Sequence, residues 1–452
     1  MNKWIVLSIA LLNGFVAPFM GAAINVAAPV LAVDLNMNAI ELNWATTIFL
    51  LSSAICLIPV GRLADIYGRK KFLFIGNVLL LFSSILVIFA PNTFFFLLIR
   101  CIQGISISFS YGTSMALLAN AFPINQRGKV FGIHAASVYV GLSSGPVLGG
   151  FLVQSFGWES IFYIPIFMSA IAVFLIYFKI KDESIKAAIE IFDWKGSVFY
   201  GSILASLTYG FSILPSMLGY SLILMGIILF LPFVFYQSHT PSPLFKISLF
   251  HNNPVFAYSN LAALIHYSAT AGVGFLLSLY LQYIKGLTPK EAGMILMVQP
   301  VIMAIFSPLM GTLSDKIEPR LVASAGMFMT FGGLVFLAFL SSTTEIFTVY
   351  TALIFMGMGF ALFSSPNTNA AISAIDKKDY AIASSTLGTM RFGGQIFSMV
   401  IVMGLFSLLL GRVKIVPENY ETFLVAAKYA FTLFAVLCLL GTYASMKRGN
   451  LR

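Results

Sequence analysis

Stretches of about twenty apolar residues recur from one end of this chain to the other, and short segments between them hold nearly all of its charge. This pattern limits the fold more than any motif does. Charged residues make up only 9% of the 452 residues and hydrophobic ones 59%, too little polar surface for a water-soluble fold of that size. In hydrocarbon every backbone N–H and C=O must find its partner within the protein, so spanning segments are helices or closed barrels. Runs such as Phe72 to Ala90 and Met217 to Gln237 are continuous and far longer than the alternating segments of a barrel. The expected fold is an all-α membrane protein with about fourteen spans.

The net charge of +10 does not indicate a nucleic-acid partner, because the basic residues are scattered among the connections and form no folded basic domain. They gather in alternate loops and the C-terminal tail, among them Arg62, Arg69, Lys70, Lys71, Lys186, Lys195, Lys246, Lys378, Lys447 and Arg448. By the charge asymmetry of membrane proteins these loops, and both termini, are expected in the cytoplasm, with Lys285 and Lys290 outside. The chain is therefore read as a multi-pass protein of the cytoplasmic membrane. Cys56, Cys101 and Cys438 each lie in an apolar run, where a small buried hydrophobe is the expectation. No metal spacing and no cofactor motif is present in the sequence. The four histidines do not converge on an enzyme-like constellation: His134 falls near the cytoplasmic end of a span, His239 and His251 in a loop, and His266 near mid-depth beside Tyr267.

Gly61-Arg62-Leu63-Ala64-Asp65 closes the second span, and Gly311-Thr312-Leu313-Ser314-Asp315 closes the tenth in the same way, about 250 residues later. Parallel repeats of this kind belong to transporters whose halves rock around a site at mid-depth. The organisation expected is an N-terminal six-helix bundle (1–180), a cytoplasmic connector with a two-helix insertion (181–253) and a C-terminal six-helix bundle (254–452).

The loop from Gly61 through Asp65, Gly68 and Arg69 to Lys71 resembles the cytoplasmic signature of the major facilitator superfamily. Leu98-Ile99-Arg100-Cys101-Ile102-Gln103-Gly104 resembles its buried-arginine motif. Gly141-Leu142-Ser143-Ser144-Gly145-Pro146-Val147-Leu148-Gly149-Gly150 is similar to its so-called antiporter motif, whose small residues let helices approach around a proline bend. Asn25-Val26-Ala27-Ala28-Pro29, Trp158-Glu159-Ser160-Ile161-Phe162 and Tyr280-Leu281-Gln282 narrow the resemblance to the 14-helix drug:proton antiporters. It implies two six-helix bundles plus an extra hairpin, and a gating role for Gly61, Asp65, Gly68, Arg69 and Asp315. Asp65 is expected to bridge the halves toward the start of the thirteenth span, near residue 381.

One departure bears on mechanism. The acidic residue usual shortly before the Asn-Val-Ala segment is missing from Met20-Gly21-Ala22-Ala23-Ile24, and none of the 16 acidic residues falls near a midplane. Two functions follow from the resemblance. The first is proton-coupled efflux of amphipathic small molecules through a cavity lined by spans 1, 4, 9 and 12, with protons as the second partner. The alternative is a facilitator or symporter of an anionic or neutral metabolite, anchored by Arg100 and Arg391. The candidate substrate and coupling residues are Asn25, Arg100, Gln103, His266, Tyr267, Gln282, Arg391 and Gln395, His266 being the group that changes charge nearest neutral pH. Either way the protein is expected to act as a monomer in the bilayer and not as an enzyme.

Overall fold

The computed structural model describes residues 3–180, 192–314, 316–375 and 380–449. The connector 181–191, Asp315 and Lys378 lie outside the described residues. The first six spans are α1 (Lys3–Asp34), α2 (Ala39–Tyr67), α3 (Arg69–Ile88), α4 (Thr93–Ala121), α5 (Ile124–Phe156) and α6 (Tyr163–Lys179). A hairpin follows, α7 (Trp194–Ser212) and α8 (Met217–His239), and then the short α9 (Ile247–Asn252). The remaining elements are α10 (Pro254–Leu279), α11 (Pro289–Leu296), α12 (Val298–Ser314), α13 (Pro319–Ala338), α14 (Ile346–Ser373), α15 (Tyr380–Leu405) and α16 (Tyr420–Lys447).

The ends of these helices are set by local chemistry. Asn38 caps α2 in a capping box with Glu41, Thr288, directly before Pro289, caps α11 in another with Glu291, and the Asn253 side chain accepts from the Phe256 amide at the start of α10. Gly68 turns the chain between α2 and α3 at φ 105°, a conformation that side chains disfavour. Several spans differ from the uniform helices expected: the sixth opens in a 3-10 turn over Trp158–Phe162, the ninth and thirteenth end in π-helical turns over Tyr280–Ile284 and Phe406–Leu410, and the tenth is broken at Met297 into α11 and α12.

Among the described residues, thirteen helical segments are long and apolar enough to cross a membrane. The fourteenth expected span, α7, is not among them because Ser, Thr, Gly and Tyr dilute its apolar residues. Its 19 residues still reach about 28 Å at 1.5 Å per residue. It also runs back along α8 for its whole length, from Gly210 against Gly219 to Phe199 stacked on Tyr236 at 6.3 Å. α7 thus forms one hairpin with the spanning helix α8, and the chain is a multi-pass all-α membrane protein. Polar residues on α7 are tolerated because it packs on α2, α8 and α15, whereas α8 shows Leu224, Ile227, Ile228 and Leu231 to lipid.

Helices α1 to α6 pack on one another, as do α10 and α12 to α16, and the two groups meet along α1 with α10, α2 with α15 and α5 with α11 and α12. One correction concerns Arg448, expected in an exposed tail. It is buried at the foot of α16, donating to Ser259 (3.3 Å), Asn367 (2.9 Å), the Pro319 carbonyl (3.1 Å) and Ser445 (3.1 Å). It thereby ties α10, α13, α14 and α16 together. His239 and His251 are likewise not loop residues: the first ends α8 and the second lies in α9.

Candidate functional site

The side of the molecule bearing the α2–α3 turn is here called the motif side. On the opposite side the two bundles are locked together. Gly141, Gly145 and Gly149 lie along α5 where it crosses α1; a β-carbon at Gly145 would stand 2.6 Å from that of Ala22, and one at Gly149 2.9 Å from that of Ala23. Gly150 faces the other bundle, its missing β-carbon replaced by the Pro289 carbonyl, and the Pro146 carbonyl presses on Gly293 in return. The small-residue stretch of α5 therefore serves two interfaces, one within its bundle and one between bundles. Further bonds cross on this side: the Ala39 amide to the Val413 carbonyl (2.9 Å), Asn43 to the Met399 carbonyl (3.3 Å) and Gln282 to the Val26 carbonyl (3.0 Å). Toward the motif side Gly61, Gly132 and Gly388 face open space.

Between the locked and open ends, polar groups from both bundles converge on Arg391. Its Nη2 donates to Thr368 Oγ1 of α14 at 2.5 Å, and its guanidinium lies 5.8 Å from the Tyr267 ring of α10. Tyr111 of α4 and Tyr139 of α5, both from the first bundle, are its other electrostatic neighbours. Tyr111 packs edge-on against Phe392 across the seam, and Tyr267 edge-on against Phe360, with centroids at 6.2 and 5.4 Å. All four polar residues around the guanidinium are half-buried, as is Gln395 one turn further along α15. Arg391 Nε has no partner among the described residues. The arrangement is a cation ringed by phenols and aromatic edges, able to grip a flat ring by stacking and a carboxylate or carbonyl by paired donors.

The helices that build this site are α4, α5, α10, α14 and α15, so α5 and α15 join the expected spans 4, 9 and 12. Sequence reasoning did not single out Tyr139 or Thr368. Thr368 carried a signal, since Ser364-Ser365-Pro366-Asn367-Thr368-Asn369 is a polar run inside an apolar span. Tyr139 carried none beyond a hydroxyl two residues before Gly141.

The other candidates are placed elsewhere. Arg100 is fully buried within the first bundle: Nε donates to the Ala45 carbonyl (3.1 Å), Nη1 to Gln103 Oε1 (2.8 Å), and the guanidinium lies 4.5 Å over the Phe49 ring. Gln103 in turn donates to Ser84 (3.3 Å). His266 is buried in the second bundle, stacked on Phe363 at 4.1 Å with Nε2 3.4 Å from Thr330 Oγ1. It adjoins Tyr267 but turns away from Arg391 toward α13 and α14. Asn25 accepts from Thr46 at 3.1 Å and faces Gly274 of α10, on the locked side of the site. Asp65 pairs with Arg69 in its own loop at 2.7 Å, with 44% of its side chain exposed.

The model of the Major Facilitator Superfamily matches residues 10–399 and, in a second copy, 259–447. The chain belongs to the major facilitator superfamily. Within the superfamily it is 30% identical to "Riboflavin transporter RibZ" of Clostridioides difficile, over 97% of this chain and 96% of that protein. It is 28% identical to "Multidrug resistance protein Stp" of Mycobacterium tuberculosis over 84% of this chain and 71% of that one. The "Tetracenomycin C resistance and export protein" of Streptomyces glaucescens is 24% identical over 83% and 71%. Among solved structures, a D-xylose-proton symporter superposes with a TM-score of 0.69 at 13% identity, covering 98% of this chain and 96% of that one, which speaks to the fold alone. The protein is thus a secondary transporter of a small molecule and not an enzyme.

Proposed function

We propose that this transporter carries planar aromatic solutes that are neutral or anionic, binding them between the bundles around Arg391 and exposing them to either side by alternating access. The observation that carries the reading is the setting of Arg391: three tyrosines and a threonine surround it, and no carboxylate pairs with it among the described residues. A cation so placed favours an anion or a carbonyl and repels a second cation. Tyr111, Tyr267, Phe360 and Phe392 offer aromatic faces and edges for a flat ring to pack on. A flavin, with its heteroaromatic ring and hydroxylated tail, has this chemistry, and the resemblance to a riboflavin transporter over nearly the full length of both chains supports it.

The rocking units are α1–α6 (within 1–180) and α10–α16 (within 254–452), with the α7–α8 hairpin seated on α2 and α15 at their seam. Both termini and the motif side face the cytoplasm, because the basic loops lie there. The locked side is then the outer one, and on this reading the solute reaches Arg391 from the cytoplasm.

Efflux of amphipathic drugs, the first function suggested by the sequence, is supported by the names of two relatives. Counterflow in proteoliposomes separates the readings. Riboflavin and an aromatic carboxylate are expected to exchange, while an aromatic quaternary ammonium of similar size is not. Exchange of the cation in preference to the other two would replace this reading with cationic drug transport.

A further inference from the structure

Tyr111 faces two ways. It meets Phe392 across the seam at 6.2 Å and His134 of its own bundle at 6.1 Å, both edge-on, so one aromatic ring separates His134 from the residue next to Arg391. At this point α1, α4 and α5 cross, and each contributes two residues: Asn13 and Gly14, Tyr111 and Ser114, His134 and Ser137. Asn13, Tyr111, His134 and Arg391 all stand about ten residues, or about 15 Å at 1.5 Å per residue, from the motif-side ends of their helices, and so share one depth. Building on the site assigned above to Arg391, we propose that this crevice is a second part of it and takes an uncharged, hydroxylated tail of the solute whose ring lies at Arg391.

The fold does not use up the polar groups of the crevice. Asn13 Nδ2 donates to Ser114 Oγ at 3.2 Å, but Asn13 Oδ1 accepts nothing among the described residues. Neither ring nitrogen of His134 has a hydrogen-bond partner there either. The hydroxyls of Ser114 and Ser137 donate to the Ser110 and His134 carbonyls, at 2.6 and 2.7 Å, which leaves both as acceptors. Asn13 and His134 are each only 4% exposed, and buried polar atoms without partners are costly to keep. Gly14 provides the room, since a β-carbon there would stand 2.6 Å from Ser137 Oγ and 2.9 Å from His134 Nε2.

The donor set selects the chemistry. No acidic residue stands on α4 or α5, and the one on α1 is Asp34 at its far end. A charged imidazole would have no counter-ion on these helices, so the neutral ring offers one donor and one acceptor, and Asn13 Oδ1 with the two hydroxyl oxygens adds acceptors. A carboxylate would meet one donor and several repelling oxygens. A hydroxyl both donates and accepts, and a run of hydroxyls on a flexible tail satisfies the imidazole and Asn13 in turn. Arg391 and its phenols then hold the ring, and His134 the tail.

The test measures binding of two flavins to purified full-length protein by calorimetry: riboflavin, and a flavin with the same ring and a plain pentyl tail. Wild type is expected to bind riboflavin at least about tenfold more tightly, as two neutral hydrogen bonds imply. His134→Phe, which keeps the ring edge against Tyr111 and removes both nitrogens, should lose most of that preference. His134→Gln, which restores a donor and an acceptor, should recover part of it. Asn13→Ala, on a different helix, should also reduce the preference, and it decides the matter where His134→Phe lowers Tm. Arg391→Gln should weaken both flavins and leave their ratio unchanged. Equal binding of the two flavins by the wild type, with both still dependent on Arg391, overturns the tail subsite alone. Binding indifferent to Arg391 overturns the site itself and the subsite with it. Full preference for riboflavin in His134→Phe of wild-type Tm, or in Asn13→Ala, also overturns the proposal.

Discussion

Two arginines stand inside the membrane, and the protein treats them in opposite ways. Arg100 is sealed in the first bundle, Nε and Nη1 donating to the Ala45 carbonyl and Gln103, its face covered by Phe49 and Nη2 left without a partner among the described residues. Arg391 stands at the seam, half-buried, bonded to Thr368 and ringed by hydroxyls from both bundles. Intramembrane charge is costly, and a chain keeps it for a reason. The contrast teaches that the reason is read from who supplies the partners. An arginine whose partners all come from one bundle holds that bundle together, whereas one whose neighbours come from both bundles can sense what lies between them.

The largest effect is expected at Arg100. Arg100→Leu leaves Gln103 Oε1 without its donor in a dry interior, at about 1–3 kcal/mol for the unsatisfied group, and removes the bond that ties α4 to the Ala45 carbonyl of α2. Yield from membranes and Tm in detergent should both fall sharply, and residual transport should track the amount of folded protein. A well-folded Arg100→Leu that fails only in transport would break the contrast, by making Arg100 part of the site. Arg391→Gln should do the reverse: Tm stays near wild type, and affinity for an aromatic anion drops about 10–100-fold, the equivalent of a charged hydrogen bond. Direct titration measures this.

Smaller effects sharpen the picture. His266 stacks on Phe363 and reaches Thr330, its Nδ1 without a partner among the described residues, and a packing role is expected for it. His266→Gln should cost about 1 kcal/mol and leave the response of transport to an imposed pH gradient equal to that of wild type. Selective loss of that response would instead make His266 the coupling group. The smallest change in stability is expected from Asp65→Asn, because its pair with Arg69 is exposed and worth about 0.3–0.5 kcal/mol. As a gating residue its effect should appear as altered accessibility of the motif side, read by labelling a cysteine at Gly388 in a background free of native cysteines.

The course of the chain was legible in the sequence because lipid enforces it: a run of twenty apolar residues has one stable state, and the motif glycines and Asp65 mark where the spans turn. α7 was legible only as the partner of α8, since a helix shielded by protein can carry Ser and Thr that lipid would reject. The site was legible in part. Arg391 and Tyr267 stood out as polar groups in apolar runs, but nothing in the sequence told Arg100 from Arg391. That difference depends on which face of α4 meets α2, a property of packing and not of residue type. Arg448 was misread for the same reason: a basic residue near the terminus resembles a topogenic charge until its four acceptors are seen.

The central claim is that Arg391 sets the charge preference of the site, and reversing that charge tests it most directly. Binding of a matched pair of aromatic probes, one carrying a carboxylate and one a quaternary ammonium, is measured by calorimetry on the wild type and on Arg391→Glu of equal Tm. The account predicts that the wild type prefers the carboxylate and that the variant prefers the ammonium. An unchanged ratio of the two affinities in the variant would contradict it.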